Sequence, residues 1–200
     1  MRLIILIIII IFIILSILFK FNHVNMTFIK SDIDNKYYLV RDLSDKYIAA
    51  NLLAQIRKNI LLFINNLYLK RDTDYLEYKY YIERLYKNFT NINIFENSNR
   101  NKDTSYSVNK GEDLIICLRS REHFKYDKFE DLNLIMYVIL HELSHIACPE
   151  YGHGDLFKKI FAFFTRVSIE LKLYSYVNYS KNPVTYCGLP ITDSIIILNE

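Results

Sequence analysis

Apolar positions follow three rhythms along this chain. Residues 3–19 are apolar throughout except for Ser16. At about 1.5 Å per residue such a helix is roughly 25 Å long, near the thickness of a hydrocarbon core, so a membrane-spanning anchor is expected there. A cleavable leader fits less well, because the run exceeds the usual apolar region of about 7–15 residues and no A-x-A-like site follows. Arg2 precedes the run and Lys20 and Lys30 follow it, so flanking charge does not set an orientation. In the second rhythm, over residues 42–70, apolar side chains recur at three- and four-residue steps: Ile48, Leu52, Ile56, Ile60, Phe63 and Leu67. This predicts a long amphipathic helix capped by Asp42 or Ser44. Residues 73–89 repeat the pattern with Tyr75, Tyr78, Ile82, Leu85 and Phe89, a second helix.

The rhythm then changes to alternation. Ser105-Tyr106-Ser107-Val108 alternates, Asn109-Lys110-Gly111-Glu112 supplies turn chemistry, and a β-type run (LIICL) follows within residues 113–119. That is a hairpin signal. Residues 130–147 carry almost no polar stripe, which predicts a buried central helix stopped by Pro149 and Gly152. Asp155 is placed to cap a further amphipathic helix over residues 156–173, with Phe157, Ile160, Phe161, Phe164, Val167 and Leu171 on its apolar side. Breaks at Asn182-Pro183 and Gly188-Leu189-Pro190 precede a short apolar run over residues 194–198. The expected organisation is an anchor (1–21), a polar linker (22–35) and an α+β domain (36–200), the last made of a helical part (36–97) and a core (104–200).

A chain of 200 residues, 52% hydrophobic and with 4 Gly and 3 Pro, is neither disordered nor low-complexity and has room for one core. Its 25 basic and 22 acidic residues form no basic stripe, so no nucleic-acid partner is indicated. Cys117, Cys148 and Cys187, odd in number and far apart, do not suggest a disulfide framework. Asn25, Asn88 and Asn178 head glycosylation sequons that are as readily accidental in so Asn-rich a chain.

The chemistry concentrates in the central helix. His141-Glu142-Leu143-Ser144-His145 is followed by His153, so three of the five histidines fall within thirteen residues. Such an H-E-x-x-H arises by chance in roughly 0.6% of chains of this composition, which argues against accident. Histidines at i and i+4 share a helix face, so both imidazoles can reach one cation. Zinc suits three nitrogen ligands with one place left for water. Glu142 is then placed to accept a proton from that water, whose pKa the metal lowers. Gly152 and Gly154 free the backbone to deliver His153 as third ligand, with Glu150 and Asp155 as alternatives. Cys148 reads as a buried thiol at the helix end, and Tyr151 is a candidate oxyanion partner.

HELSH, then PEYGHGDLF and an amphipathic helix, resembles the WLM and SprT-like zinc metallopeptidases over about residues 105–173. VRDLSDKYIAANLLAQ, SYSVNKGEDLIICLRSR and NPVTYCG are similar to uncharacterised WLM-like proteins of large DNA viruses of algae and protists. The resemblance implies a zincin core, a small sheet over the HExxH helix, here preceded by two long helices and the transmembrane segment. It implies Zn2+ on His141, His145 and His153, Glu142 as general base, and a protein or peptide substrate. The strand at residues 114–118 would offer its edge to an extended peptide. The interval from His145 to His153 is slightly longer than usual in the family, and no methionine follows His153, so a metzincin Met-turn is absent. The expectation is therefore a membrane-anchored zinc metallopeptidase held in a host or virion membrane by residues 3–19. The alternative is a non-enzymatic viral membrane or virion protein with a structural zinc site.

Overall fold

A computed structural model describes residues 25–89, 92–98, 103–122 and 127–197. The longest element is helix α1, Lys46–Lys70, which buries Leu53, Ile56, Ile60, Phe63 and Leu67 along one stripe. Ile48 is 59% exposed and Ala49 and Ala50 take its place in the core, so the buried face is turned by one residue at its start. Neither Asp42 nor Ser44 caps the helix. Its N-cap is Asp45, whose side chain makes no cap bond because it accepts from Arg119 at 2.6 Å.

Upstream, strands β1 (Met26–Lys30) and β2 (Tyr37–Arg41) form an antiparallel hairpin that packs on α1. A polar linker was expected over part of this stretch, but backbone pairing and burial of Ile29, Tyr38 and Val40 make it structured. After α1 a single 3-10 turn (Leu76–Tyr78) leads into helix α2, Lys79–Phe89, which buries Ile82, Leu85 and Phe89.

The main sheet has three strands, β3 (Asn93–Glu96), β4 (Tyr106–Val108) and β5 (Asp113–Ile116), in the order β3-β5-β4. β5 runs parallel to β3 and antiparallel to β4. The strand expected to offer a free edge is therefore central, and β3 and β4 are the edges. The β4–β5 turn closes with Gly111 at φ 123, where an added Cβ would lie 3.1 Å from the Asn88 backbone oxygen; only glycine fits there.

Helix α3, Leu132–Ala147, begins at Asp131, whose carboxylate accepts from the Asn133 and Leu134 N–H groups, satisfying two of the helix's orphan donors. Helix α4, Asp155–Glu170, packs against it through Phe157 and Phe161; its N-cap is Gly154, and Asp155 sits in the first turn rather than capping, where its charge suits the helix dipole. The chain closes with a hairpin of β6 (Val184–Tyr186) and β7 (Leu189–Ile191). Its two-residue loop places Cys187 at φ 49 and Gly188 at φ 87, the pair of left-handed residues that a tight hairpin requires. Cys187 is disulfide-bonded to Cys117 and only Cys148 is free. Cysteines 70 residues apart leave no local trace, and their pairing corrects the expectation that no disulfide framework is present.

The apolar run at residues 3–19 lies outside the described residues. Among the described residues no helix is long and apolar enough to cross a membrane. α1 has the length but carries polar and basic residues along its exposed side. The single-pass membrane localisation is corrected accordingly.

Candidate metal centre

α3 and the loop after it bring His141, His145 and His153 together. Their Nε2 atoms stand 3.0–3.1 Å apart in all three pairs. Hydrogen bonding alone cannot satisfy that triangle. Each neutral imidazole has one N–H and one lone pair, so among three mutually touching nitrogens at least one pair matches donor with donor or acceptor with acceptor. A cation satisfies all three. Zinc–nitrogen bonds of about 2.0–2.1 Å at tetrahedral angles put ligand nitrogens roughly 3.3 Å apart, close to the spacing seen. These three histidines could hold a metal ion; Glu150, Asp155 and Cys148 are not part of the cluster. Cys148 is buried at the end of α3, its N–H bonded to the Ser144 carbonyl.

Burial keeps His141 and His145 neutral, which is the form that ligates. It lowers His141 to about 3, with the charges of His145 and His153 adding to the effect. It lowers His145 to about 4, helped by His153 and Lys110. One side chain that sequence reasoning placed merely on an apolar stripe packs against all three rings. Phe157 stacks on His145 with centroids 4.3 Å apart and meets His141 and His153 edge-on at 4.9 Å each.

Glu142 is 7% exposed. Burial pushes its carboxyl up to about 8, against a hydrogen bond from the Ser107 backbone that pulls it down. Both Glu142 and the histidines open onto one cleft of about 1030 Å³. It is lined by edge strand β4, by the β6–β7 hairpin and by residues 192–195. Tyr186 fixes the hairpin: its hydroxyl donates to the Cys117 carbonyl at 2.7 Å and pairs with Ser105 Oγ at 2.7 Å. Tyr137 holds the following segment by accepting from the Ile195 N–H at 3.0 Å. Tyr151 does not line the cleft; it is 90% exposed and covers the Lys110 ammonium at 4.4 Å.

The chain is 43% identical over 171 residues to an uncharacterised protein, R325, of Acanthamoeba polyphaga mimivirus, covering 85% of this chain and 84% of that one. This chain belongs to the family of that viral protein. A shorter match, 40% identical over 70 residues, joins 34% of the chain to 42% of protein 042R of Invertebrate iridescent virus 3. Protein 136R of Invertebrate iridescent virus 6 is 32% identical over 57 residues, 28% of this chain and 31% of that one. No protein-family model matches the sequence. Among solved structures the fold is similar to Wss1 from Saccharomyces cerevisiae, at 21% identity and a TM-score of 0.44 over 64% of this chain and 84% of that one. A mutant Wss1 structure gives 19% identity and a TM-score of 0.46 over 68% and 91%.

Proposed function

We propose that this family member is a zinc-dependent metallopeptidase of WLM-like type that cleaves extended peptide segments. The observation that carries the reading is the meeting of three imidazole Nε2 atoms within 3.1 Å of one another beside a buried glutamate on an open cleft. His141, His145 and His153 are the ligands in this reading. When bound there, zinc would supply a Lewis acid and lower the pKa of a water from about 15.7 toward 7.

The chain's own groups supply the rest. Glu142 is the base: its burial raises its affinity for a proton, and a neighbouring dication favours the carboxylate that can take one. The Ser107 hydrogen bond steadies that carboxylate. Phe157 fixes the ring planes of all three histidines. β4 is hydrogen-bonded to β5 on one side and borders the cleft on the other, which suits an extended substrate laid beside it.

The test is turnover of an unstructured protein by wild type, Glu142→Gln and chelated enzyme, with zinc measured in each. Glu142→Gln should keep its zinc and lose about two to four powers of ten in rate, the range for a positioned proton-transfer group. Chelation should abolish turnover and zinc restore it. Equal turnover in wild type and Glu142→Gln would end the proposal; bound zinc without turnover in wild type would favour a structural metal site.

A further inference from the structure

The third ligand reaches the site on an insecure piece of chain. Residues 149–154, between α3 and α4, are all exposed, and Gly152 stands at φ 80 with nothing within 4 Å of where a Cβ would be. Packing of that loop's own side chains does not explain how His153 is aimed. A lysine from another element does. Lys110, in the β4–β5 turn, donates from its ammonium to the carbonyls of Cys148 at 2.7 Å, Glu150 at 3.0 Å and Pro149 at 3.3 Å. These carbonyls lie just past the last turn of α3, where helical N–H partners have run out. The Tyr151 ring then covers the same ammonium, so four successive residues of the loop gather on one cation.

The backbone at this position adds a second observation. Asn109 and Lys110 both lie in the left-handed region, at φ 46 and 55. Asparagine tolerates that conformation; lysine has no local reason to adopt it, and glycine would hold it without strain.

The geometry points to Lys110 as a positioning residue for the metal site, setting His153 through the carbonyls of residues 148–150 without touching metal or substrate. The inference rests on the metal-site reading above. Its sign separates it from simple electrostatics. The charge of Lys110 reaches the site, where it ranks after burial and His153 among the causes that hold His145 low. Were charge its whole effect, removing it would tighten the binding of a dication. Positioning requires the opposite.

The experiment measures zinc affinity of the full-length protein by competition with a chromophoric chelator. The variants are Lys110→Gly, Lys110→Asn, Lys110→Arg, His153→Ala and the Lys110→Gly/His153→Ala pair. Lys110→Gly and Lys110→Asn should bind zinc about 10–100-fold more weakly, the usual range for partners that orient ligands. Lys110→Arg, which keeps charged donors, should stay within roughly threefold of wild type. The metal-free melting temperature of Lys110→Gly should not fall, because glycine relieves the turn. In the His153→Ala background Lys110→Gly should cost almost nothing more, since its effect passes through His153. Unchanged or tighter zinc binding by Lys110→Gly and Lys110→Asn would overturn the inference, as would an equal loss with and without His153. Wild type that binds no zinc would instead remove the metal-site reading, and this inference with it.

Discussion

Glu142 and the histidines pull the stability of the metal-free protein in opposite directions with pH. Glu142 has its carboxyl raised from 4.5 to about 8. The folded state then holds a proton that the unfolded chain releases above 4.5, so this contribution is full at low pH and is lost as pH rises through 8. His141 and His145 are lowered from 6.5 to about 3 and 4. Their contribution is full above 6.5 and is lost as pH falls through that window. Metal-free protein should therefore be most stable near pH 6.5, measured by urea unfolding across pH 4–9. Glu142→Gln should remove the alkaline fall and leave the acid one. A metal-free profile flat from pH 6.5 to 9 in wild type would show that Glu142 is ionised in the folded protein. At this scale the clustering of His141, His145 and His153 was legible from sequence, because side chains at i and i+4 and a glycine-flanked partner are local signals. Lys110 was not: it meets its carbonyls from 38 residues away, and no periodicity records such a contact. Phe157 was read as core, which it is, but its contact with three imidazoles depends on the crossing of α3 and α4.

Elements differ in legibility for a related reason. The four helices were legible because each buries a stripe that repeats over several turns; the same rule missed β3 and the β6–β7 hairpin, with strands of three and four residues. Strands that short leave almost no alternation to read. The last hairpin also depends on a covalent link. Cys187 sits in its turn and Cys117 at the end of β5, so the disulfide fastens one wall of the cleft to the sheet beneath it. Reduction, or Cys187→Ser, should lower stability by about 2–4 kcal/mol, read from urea unfolding with and without reductant. The hairpin should loosen first, because β6 and β7 pair only with each other. Limited proteolysis of reduced protein should then cut within residues 180–197 before any other described segment. Identical digestion patterns in reduced and oxidised protein would mean that Tyr186 and Tyr137 suffice to hold the wall.

Across the molecule the part that carries the three-histidine cluster is joined to the N-terminal hairpin and α1 by a buried charge network. Arg119, just past β5, donates to Glu96 at the end of β3 at 2.7 Å and to Asp45 at the start of α1 at 2.6 Å. Glu96 also accepts from the Arg41 N–H of β2 at 2.7 Å, and Arg41 pairs with Asp127 at 2.5 Å. The side chains of Arg119 and Glu96 are 2% and 1% exposed. Burial pushes the Glu96 carboxyl up despite two arginines, so the network is held against a desolvation penalty. Removing one partner should therefore cost more than removing both. Arg119→Met leaves Glu96 buried with a single N–H donor, and should lower stability by about 3–5 kcal/mol. Glu96→Gln discards the buried charge while keeping an acceptor, and should cost less. The double variant Arg119→Met/Glu96→Leu should recover most of the loss, because no charge is then left orphaned between these two positions. Urea unfolding of the three variants at pH 7 makes the comparison. A double variant worse than Arg119→Met would mean that the pair contributes favourably beyond its burial cost. Arg119→Met close to wild type would mean that β2, α1 and the sheet are held by apolar packing alone.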